Sequence, residues 1–498
     1  MRDTENTRVK VAIIGAGFGG IGMAYSLRQA GIDDIAILEK SSDLGGTWRE
    51  NTYPGCGCDV PSHFYSYSFE PHYPWAWRYG RQSEILAYQH HVARKYDLER
   101  HIRYGCEVQS ADYDETRALW LLKLKDGSHV EAESVVSAVG QLHQPAYPKI
   151  PGRERFRGKT FHSSHWDHAY ELEGKSVAVI GTGASAVQFL PQIAPRVKTL
   201  KLFQRSPGWT FPKVEKQFSR FERWLLDTFH FVHDLDRLRV FIICEILAAA
   251  YNGNRVLARL VTAISKLQMR WQVRDPALRR KLWPDFPIGC KRILLTNHWL
   301  PALVRPNVEV VDDGIAEITE TGVRTADGRL REVDAIIYGT GFAATQFLTP
   351  MIVRGRGGRD LHELWARGAT AYLGMAVAGF PNFFVLYGPN TNVGSGSIIF
   401  MLERQQNYIV RLMQQRERRD WRSIEVTEGA QAAYGEEMRT RSAGTTYTGD
   451  CQSWYKTADG INTNNWVGSM TEFRRRTAVP LMTDFCGEPA QAAQELAA

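Results

Sequence analysis

Two stretches decide the fold: residues 9–20 read VKVAIIGAGFGG, and residues 176–186 read SVAVIGTGASA. In each, an apolar strand runs into a G-x-G-x-x-G/A turn that opens a helix, and a second strand follows. This strand–turn–helix–strand unit is typical of dinucleotide binding. Its glycines permit a tight turn and let the backbone approach a pyrophosphate at the helix N-terminus. The pattern therefore predicts two dinucleotide sites, at Gly15, Gly17, Phe18 and Gly20, and at Gly181, Thr182, Gly183, Ala184, Ser185 and Ala186.

The residue after the second strand differs in charge between the two units. Glu39 follows the first fingerprint, and Arg205 stands at the same distance after the second. A carboxylate there accepts hydrogen bonds from ribose hydroxyls, whereas an arginine suits a 2′-phosphate. The first site is therefore predicted to hold FAD or NAD, and the second NADP(H). A flavin beside NADPH indicates redox chemistry.

The positions of the fingerprints predict an α/β fold with two Rossmann-like dinucleotide-binding domains and a helical insertion. Residues 1–145 form the first part of the FAD domain, and residues 146–338 form the NADP domain. A proline-rich linker over 145–152 separates them. The insertion covers about 213–285, and residues 339–486 return to the first domain. Residues 487–498, rich in Ala and Gln, are expected to fray.

Composition excludes several classes of protein. The 498-residue chain has a net charge of +7, but its basic residues form no long run, so we expect no nucleic-acid partner. Seven cysteines without framework spacing favour a reducing compartment, and the polar N-terminus is unlike a signal peptide. The most apolar stretch, 240–251, is too short to span a bilayer, so it is interpreted as a buried helix. A cytoplasmic location follows, and oligomeric state is not predicted.

Two longer motifs resemble those of type I Baeyer–Villiger monooxygenases. Residues 156–167, FRGKTFHSSHWD, match the family fingerprint FxGxxxHxxxW(P/D) just before the second glycine motif. Residues 46–59, GTWRENTYPGCGCD, match the pattern GxWxxxx(F/Y)PGxxxD. The resemblance also covers the turns at 204–207, 289–292 and 339–342, and so most of the chain.

The resemblance implies an enzyme that uses FAD, NADPH and O₂ to convert a ketone into an ester or lactone through a peroxide at flavin C4a. It adds Lys40, Gly46, Thr47, Trp48, Asp59 and Tyr65 to the FAD site, and Gln188, Ser206 and Lys291 to the NADP site. It also places His162 and Trp166 in the coupling of the two domains, and it places Trp454 in a C-terminal loop near substrate. For Trp454, packing in the core is an almost equal alternative.

Arg292 and Asp59 are the catalytic residues that the resemblance implies. An arginine keeps its charge at working pH and would stabilise both a peroxide anion and the oxyanion formed on the ketone. Asp59 would orient the guanidinium. A structural ion pair is the alternative. The presence of both residues also argues against N- or S-oxygenation, because oxygenation of a substrate that is a soft nucleophile does not need a peroxide anion.

Other chemistries are less well supported by the residues. His162, His165 and His168 repeat every three positions, but no carboxylate or cysteine completes a metal site, so no metal is predicted. Cys56 and Cys58 form C-x-C, whereas a disulfide reductase needs C-x-x-C near its flavin. Two alternatives stay open: an N- or S-oxygenating flavin monooxygenase, and a non-catalytic flavoprotein that binds partners through its helical insertion.

Overall fold

A computed structural model describes residues 7–490, and within that range it contains twenty strands and thirteen α-helices. The strands are β1 (Thr7–Ile14), β2 (Ile35–Glu39), β3 (Ile102–Tyr104), β4 (Val108–Asp114), β5 (Leu119–Leu124), β6 (His129–Ser137), β7 (Lys159–His162), β8 (Ser176–Ile180), β9 (Thr199–Phe203), β10 (Thr210–Phe211), β11 (Leu294–Leu295), β12 (Val308–Val311), β13 (Ile315–Ile318), β14 (Gly322–Thr325), β15 (Leu330–Glu332), β16 (Ala335–Tyr338), β17 (Ile352–Arg354), β18 (Phe383–Val385), β19 (Trp421–Val426) and β20 (Phe485–Pro489). The helices are α1 (Phe18–Gln29), α2 (Thr47–Glu50), α3 (Gln82–Lys95), α4 (Ala184–Ile193), α5 (Arg220–Thr228), α6 (His230–Tyr251), α7 (Arg255–Gln272), α8 (Pro276–Lys281), α9 (Trp299–Leu303), α10 (Leu361–Leu364), α11 (Ile398–Arg418), α12 (Glu428–Ser442) and α13 (Met470–Arg476).

The larger sheet carries the first fingerprint. Its strand order is β17-β4-β5-β6-β1-β2-β3, and β18 also pairs with β6. β1 lies parallel between β2 and β6. Val11 and Ile13 on one face of β1 join one hydrophobic core, and Ala12 and Ile14 on the other face join a second. Burial on both faces explains the nearly continuous apolar sequence of this strand.

The second sheet carries the second fingerprint and is entirely parallel, in the order β12-β9-β8-β16-β7. Its β8-α4-β9 unit repeats β1-α1-β2, and α4 and β9 have the bounds that the sequence predicted. The predicted fold class, two Rossmann-like α/β units, is therefore confirmed.

The chain crosses between the two sheets twice, and the crossings lie side by side. The Ala146 amide donates to the Gly341 carbonyl (2.9 Å), and the Ala343 amide donates to the Gln144 carbonyl (2.9 Å). The Thr340 hydroxyl adds a bond to the Ala146 carbonyl (2.6 Å). After the second crossing, β17 and β18 rejoin the first sheet.

Helices α5–α8 occupy the stretch between β10 and β11. The expectation that 240–251 forms a buried helix is wrong for one face: Val240 and Ala248 of α6 are buried, whereas Ile242 and Ile246 are 48% and 50% exposed. Because both faces of α6 are apolar, the sequence alone could not show which one packs. Within residues 7–490, none of the helices alone has the length and apolar character to cross a membrane. Together, α6 and α7 meet those criteria, with a bend of 103° between them.

The prediction of a frayed tail from residue 487 is wrong for its first residues. β20 pairs antiparallel with β19, and Phe485 lies opposite Val426. Gly487 packs so tightly that an added Cβ would approach the Trp421 ring to 2.1 Å. Pairing and packing thus hold the chain through Pro489, while residues 491–498 and the polar N-terminal residues 1–6 lie outside the described range.

Candidate active site

A cavity of about 670 Å³ lies between the first fingerprint, the 46–59 segment, α6 and the 288–293 segment. Most of the predicted FAD residues line it, together with both predicted catalytic residues and two from the second fingerprint unit. These residues are Gly15, Gly17, Phe18, Glu39, Lys40, Gly46, Thr47, Trp48, Asp59, Tyr65, Ala184, Gln188 and Arg292. Gly20 does not line it, because it is buried inside α1. The structure therefore brings together residues that are far apart in sequence.

Glycines leave room on the cavity floor for a cofactor. Gly15 has φ +102°, a backbone conformation that residues other than glycine rarely adopt. Gly17 precedes α1, and a Cβ added there would point toward Gly46, whose Cα would be 3.6 Å away. Side chains at Gly17 and Gly46 would fill the gap beside the N-terminus of α1, where a pyrophosphate binds in this kind of turn. The residues present therefore fit a dinucleotide.

Glu39 is buried at the end of β2 and faces the cavity. Its carboxylate accepts hydrogen bonds from the amides of Ala16 (2.7 Å) and Ser41 (2.9 Å). These bonds fix the side chain against the fingerprint turn. Since a carboxylate has about four acceptor positions, it retains capacity for ribose hydroxyls.

Trp48 and Tyr65 form a second part of the wall. The Trp48 indole donates to the Tyr65 hydroxyl (3.1 Å), and their rings pack edge to face. Burial raises the pKa of Tyr65 well above its usual value, so the phenol stays neutral. The pair supplies an aromatic wall with a fixed hydrogen-bond geometry.

The second fingerprint forms the same turn as the first. Gly181 has φ +107°, and Gly183 immediately precedes α4, which begins with Ala184. The Thr182 hydroxyl donates to the Ser206 carbonyl (3.1 Å), which joins the turn to the segment after β9. Ser185 and Ala186 lie in the first turn of α4.

Arg205, Ser206 and Lys291 come together beyond that turn. The Lys291 ammonium donates to the Ser206 hydroxyl (2.5 Å). Burial lowers the pKa of Lys291, and the nearby positive charge of Arg205 lowers it further. Two cations and a hydroxyl placed together in this way form a site for a doubly charged anion such as a 2′-phosphate.

Gln188 differs from the expectation that it binds NADP. Its amide oxygen accepts from the Tyr53 hydroxyl (2.9 Å), and its amide nitrogen donates to the Gly57 carbonyl (2.9 Å). These bonds tie α4 to the 46–59 segment. In this structure Gln188 therefore joins the two dinucleotide units, and it also lines the cavity.

Arg292 and Asp59 form an ion pair, with 3.6 Å between Nη2 and Oδ2. Only 10% of the Asp59 side chain is exposed, whereas 40% of the Arg292 side chain is exposed. Arg292 lines the cavity. Burial opposes the charge on Arg292, but Asp59, acting together with Tyr455, Cys58 and Tyr387, outweighs it and raises the pKa of the guanidinium above its ordinary value. Arg292 is thus a permanent cation whose remaining donors are available to a ligand.

Lys213 completes this group of charged side chains. Its ammonium lies 3.4 Å from Asp59 Oδ1 and donates to the Cys58 carbonyl (3.0 Å). It also lies over the ring of Tyr79, 4.8 Å from the centroid. Lys213 comes just after β10 in a segment with no motif, so no pattern in the sequence singles it out.

Tyrosines surround Arg292, and these were missed as well. Tyr387 is half-buried and donates to Asn392 Oδ1 (2.7 Å), and desolvation of its hydroxyl raises the pKa to about 12. Tyr455 is fully buried near Arg292, and burial raises its pKa further. Trp454, predicted to lie near substrate, packs on Tyr455 (4.6 Å between rings) and does not line the cavity.

A disulfide joins Cys290 to Cys451, a pairing that the number and spacing of the cysteines did not predict. The two residues are 161 positions apart, and only the fold brings them together. The disulfide connects the segment that carries Lys291 and Arg292 to the C-terminal loop with Trp454. Cys56 and Cys58 are free, and burial raises the pKa of each thiol to about 12, which leaves them protonated and unsuited to disulfide exchange.

His162 lies at the end of β7, against both chain crossings. Its ring packs on Tyr147 of the first crossing (5.4 Å) and on Phe342 of the second (5.7 Å). The Ser164 amide donates to Nδ1 (3.2 Å), so the neutral ring carries its proton on Nε2. Burial lowers the pKa of His162 to about 4. Trp166 packs between Phe161 and Phe189 in the second unit.

One group of side chains in the described part of the chain, His72, His233 and Asp234, has ligand atoms close enough together to hold a metal ion. None of the three lines the cavity. The His72 ring and the Asp234 carboxylate already share a hydrogen bond (3.0 Å).

Comparison with known proteins agrees with this geometry. A family model described as pyridine nucleotide-disulphide oxidoreductase matches residues 12–230, which contain both fingerprints. A Baeyer-Villiger monooxygenase from Pseudomonas aeruginosa is 44% identical over 470 residues, covering 94% of this chain and 89% of that protein. Another from Streptomyces coelicolor is 43% identical over 471 residues, covering 94% of this chain and 91% of that protein.

Solved structures of such enzymes share the whole fold. An oxidized steroid monooxygenase bound to NADP is 31% identical with a TM-score of 0.86, covering 97% of this chain and all of that one. OTEMO in complex with FAD and NADP is 28% identical with a TM-score of 0.86 and the same coverage. This chain belongs to the Baeyer–Villiger monooxygenase family.

Proposed function

We propose that this protein is an FAD- and NADPH-dependent monooxygenase that inserts one oxygen atom of O₂ beside the carbonyl of a ketone, giving an ester or lactone. The observation that carries the proposal is the Arg292–Asp59 ion pair in the wall of the cavity that also contains the first fingerprint. Bound FAD, reduced by NADPH, would supply the activation of O₂.

The two nucleotides have separate binding groups. Gly15, Gly17, Gly46 and Glu39 would hold the pyrophosphate and ribose of FAD, because they combine an open glycine turn with a fixed carboxylate. Arg205, Ser206 and Lys291 would hold the 2′-phosphate of NADPH. A dianion there would relieve the repulsion between the two cations, which favours NADPH over NADH.

Arg292 would act directly on the reacting ketone. Negative charge develops on the carbonyl oxygen when a nucleophile attacks the carbonyl carbon. A preorganised guanidinium with free donors stabilises that charge in a site that excludes water. Because an arginine stays charged at working pH and the pKa of Arg292 is raised further, this stabilisation does not depend on pH across the working range.

Asp59 and Lys213 would position Arg292. Asp59 approaches Arg292 through Oδ2 and Lys213 through Oδ1, so the carboxylate is divided between two cations. Lys213 balances part of the charge of Asp59. This leaves Arg292 less strongly held and able to present donors to the cavity.

The test is substitution of Arg292. Arg292→Ala should retain FAD and still be reduced by NADPH, but ester formation should fall by about 10²–10³ or more, the usual cost of losing an oxyanion donor. Arg292→Lys should not restore it, because a flexible point charge cannot reproduce the planar fork. The exposed Arg367, which does not line the cavity, gives the matched control Arg367→Ala.

Three measurements are needed on each variant: stopped-flow flavin reduction, ester yield, and hydrogen peroxide yield. Consumed NADPH should appear as hydrogen peroxide in Arg292→Ala. Near-normal ester formation by this variant would refute the assigned role. A wild-type enzyme that oxygenates sulfides or amines but no ketone in a panel of linear, cyclic, aromatic and steroid ketones would favour the N- or S-oxygenating alternative.

We further propose a cytoplasmic location. Cys56, Cys58 and Cys244 are buried thiols outside the disulfide, and the proposed reaction consumes NADPH, which is regenerated inside cells. Cell fractionation with a tagged chain tests this.

A further inference from the structure

Large apolar side chains are exposed mainly on one part of the molecule, helices α5–α7 and the segment just before them. Of the 21 exposed large apolar residues in the described range, 14 lie between Val214 and Trp271. Scattered exposed apolar residues are normal, whereas a concentrated set marks a binding surface. We call this region the α5–α7 surface.

The exposed apolar residues follow the period of a helix. On α6 they include Phe231, Leu235, Leu238 and Ile242, at intervals of three or four residues. On α7 the stripe is Val256, Leu260, Leu267 and Trp271, with exposures of 56–74%. Both helices therefore bury one face against the protein and turn a separate apolar stripe to solvent, whereas a surface helix normally presents polar residues to water.

Aromatic rings extend this surface over α5. Phe221 stacks on Trp224 (5.7 Å), Trp224 contacts Phe229 (6.0 Å), and Phe229 contacts Phe231 (6.1 Å). The result is a continuous row of exposed rings from α5 to the start of α6. Aromatic side chains of this kind are common at membrane–water interfaces.

Basic side chains accompany the stripe on α7. Arg255, Arg259, Lys266 and Arg270 each directly precede a stripe residue, and α7 has no acidic residue. Of the described residues, no Asp or Glu forms an ion pair with any of these four. Residues 213–285 contain fourteen Lys and Arg against eight Asp and Glu, an excess of six positive charges in a chain whose total is +7.

The active-site cavity opens onto the same surface. Ile243 (46% exposed) and Val214 (70% exposed) belong to both the exposed set and the cavity lining. Arg239 of α6 also lines the cavity. α6 thus separates the site from solvent, with one face toward the cavity and the other in the α5–α7 surface.

We propose that the α5–α7 surface docks on an anionic phospholipid bilayer, with its apolar stripes in the headgroup region and its arginines against lipid phosphates. The positive charge of this surface favours a bilayer over a second copy of the chain. Unpaired arginines beside an apolar stripe fit an anionic interface, whereas two copies of the chain would bring like charges together. The bend of 103° lets α6 and α7 both lie along a surface rather than across it.

A consequence follows for the substrate, and it rests on the proposed function. Because the cavity opens at the docking surface, the enzyme takes lipophilic ketones directly from the bilayer. The stripe residues then affect delivery of such ketones and leave the chemistry of water-soluble ketones unchanged.

The experiment uses FAD-loaded full-length enzyme and vesicle flotation. Wild type should bind vesicles of phosphatidylcholine and phosphatidylglycerol (70:30) and not vesicles of phosphatidylcholine alone, and 0.5 M NaCl should release it. Leu260→Gln/Leu267→Gln/Trp271→Gln should abolish binding. Arg255→Gln/Arg259→Gln/Arg270→Gln should weaken it by about a hundredfold, at roughly 1 kcal/mol for each basic residue. Val479→Gln/Leu481→Gln, which changes exposed apolar residues elsewhere, is the matched control and should bind as wild type.

Melting temperature and turnover of a short-chain ketone should be the same in all variants, which excludes unfolding as a cause. Absence of vesicle binding by wild type, or binding unaffected by the stripe substitutions, would overturn the proposal. So would a wild-type dimer in sedimentation velocity that the stripe substitutions dissociate, since the surface would then be a subunit interface. If vesicles bind but no ketone is oxygenated, the proposed function fails and the docking surface stands.

Discussion

The ammonium of Lys213 lies 3.4 Å from the carboxylate of Asp59, and 9% and 10% of the two side chains are exposed. A buried carboxylate between two cations divides its attraction between them, so loss of one cation strengthens its pairing with the other. The position of Arg292 in the cavity therefore depends on a lysine that it does not contact.

Lys213→Met should slow catalysis without loss of the cofactor. With Lys213 absent, Asp59 would pair with Arg292 alone and draw its donors away from the cavity. We expect kcat for ketone oxygenation to fall by about tenfold, equivalent to roughly 1.4 kcal/mol, with little change in KM and with more hydrogen peroxide formed for each NADPH.

The neighbouring Lys216 supplies the control, because it is exposed and pairs with Glu222 at the surface. Lys216→Met should have normal kcat and normal peroxide yield. An equal loss in both variants, or no loss in Lys213→Met, would show that Lys213 does not position Arg292.

Glu39→Gln should weaken retention of FAD. The Glu39 carboxylate accepts from two backbone amides, and a glutamine offers one oxygen in place of two. Loss of one charge-assisted hydrogen bond costs about 1.5–3 kcal/mol, which corresponds to roughly a tenfold to hundredfold weaker affinity. Flavin absorbance after dialysis measures retention, and Glu107→Gln, at an exposed ion pair on the cavity rim, is the comparison. Full occupancy of Glu39→Gln after extended dialysis would contradict a role in ribose binding.

Arg205→Ala should reduce the preference for NADPH. Arg205 is exposed beside Lys291 and Ser206, where a 2′-phosphate would face two cations. We expect KM for NADPH to rise by about tenfold to a hundredfold, from the loss of about 1.5–3 kcal/mol, while KM for NADH changes little. Steady-state kinetics with both cofactors measures this preference, and equal use of NADPH and NADH by the wild type would refute the prediction.

The local parts of the fold could be predicted from sequence because their causes are local. The bounds of α4 and β9 follow from a glycine turn and an apolar run, and both fingerprints form the glycine turns that their sequences predict. What could not be predicted depends on the packing of distant segments. Lys213 reaches Asp59 across 154 positions, and Cys290 meets Cys451 across 161. The outward stripe of α6 could not be told from its inward stripe, since both are apolar.

His162 should make the enzyme less stable in mild acid. Its pKa of about 4 in the folded protein lies below the value of about 6.5 in an unfolded chain. Between these values the unfolded chain binds the proton and the folded protein does not, so stability falls as pH decreases. His162 therefore contributes its full stabilisation above pH 6.5, and we expect a loss of about 2 kcal/mol by pH 5, from the linkage relation.

His162→Asn removes the titration while keeping an acceptor for the Ser164 amide. The free energy of unfolding, measured by denaturant titration from pH 7.5 to pH 4.5, should decline less steeply in this variant than in the wild type. His168→Asn, at an exposed histidine that contacts Thr52, should follow the wild-type curve. Because the wild type and His162→Asn share every other titrating group, the difference between their slopes reports His162. Parallel curves for wild type and His162→Asn would show that the ring between Tyr147 and Phe342 takes up a proton as readily in the folded protein as in the unfolded chain.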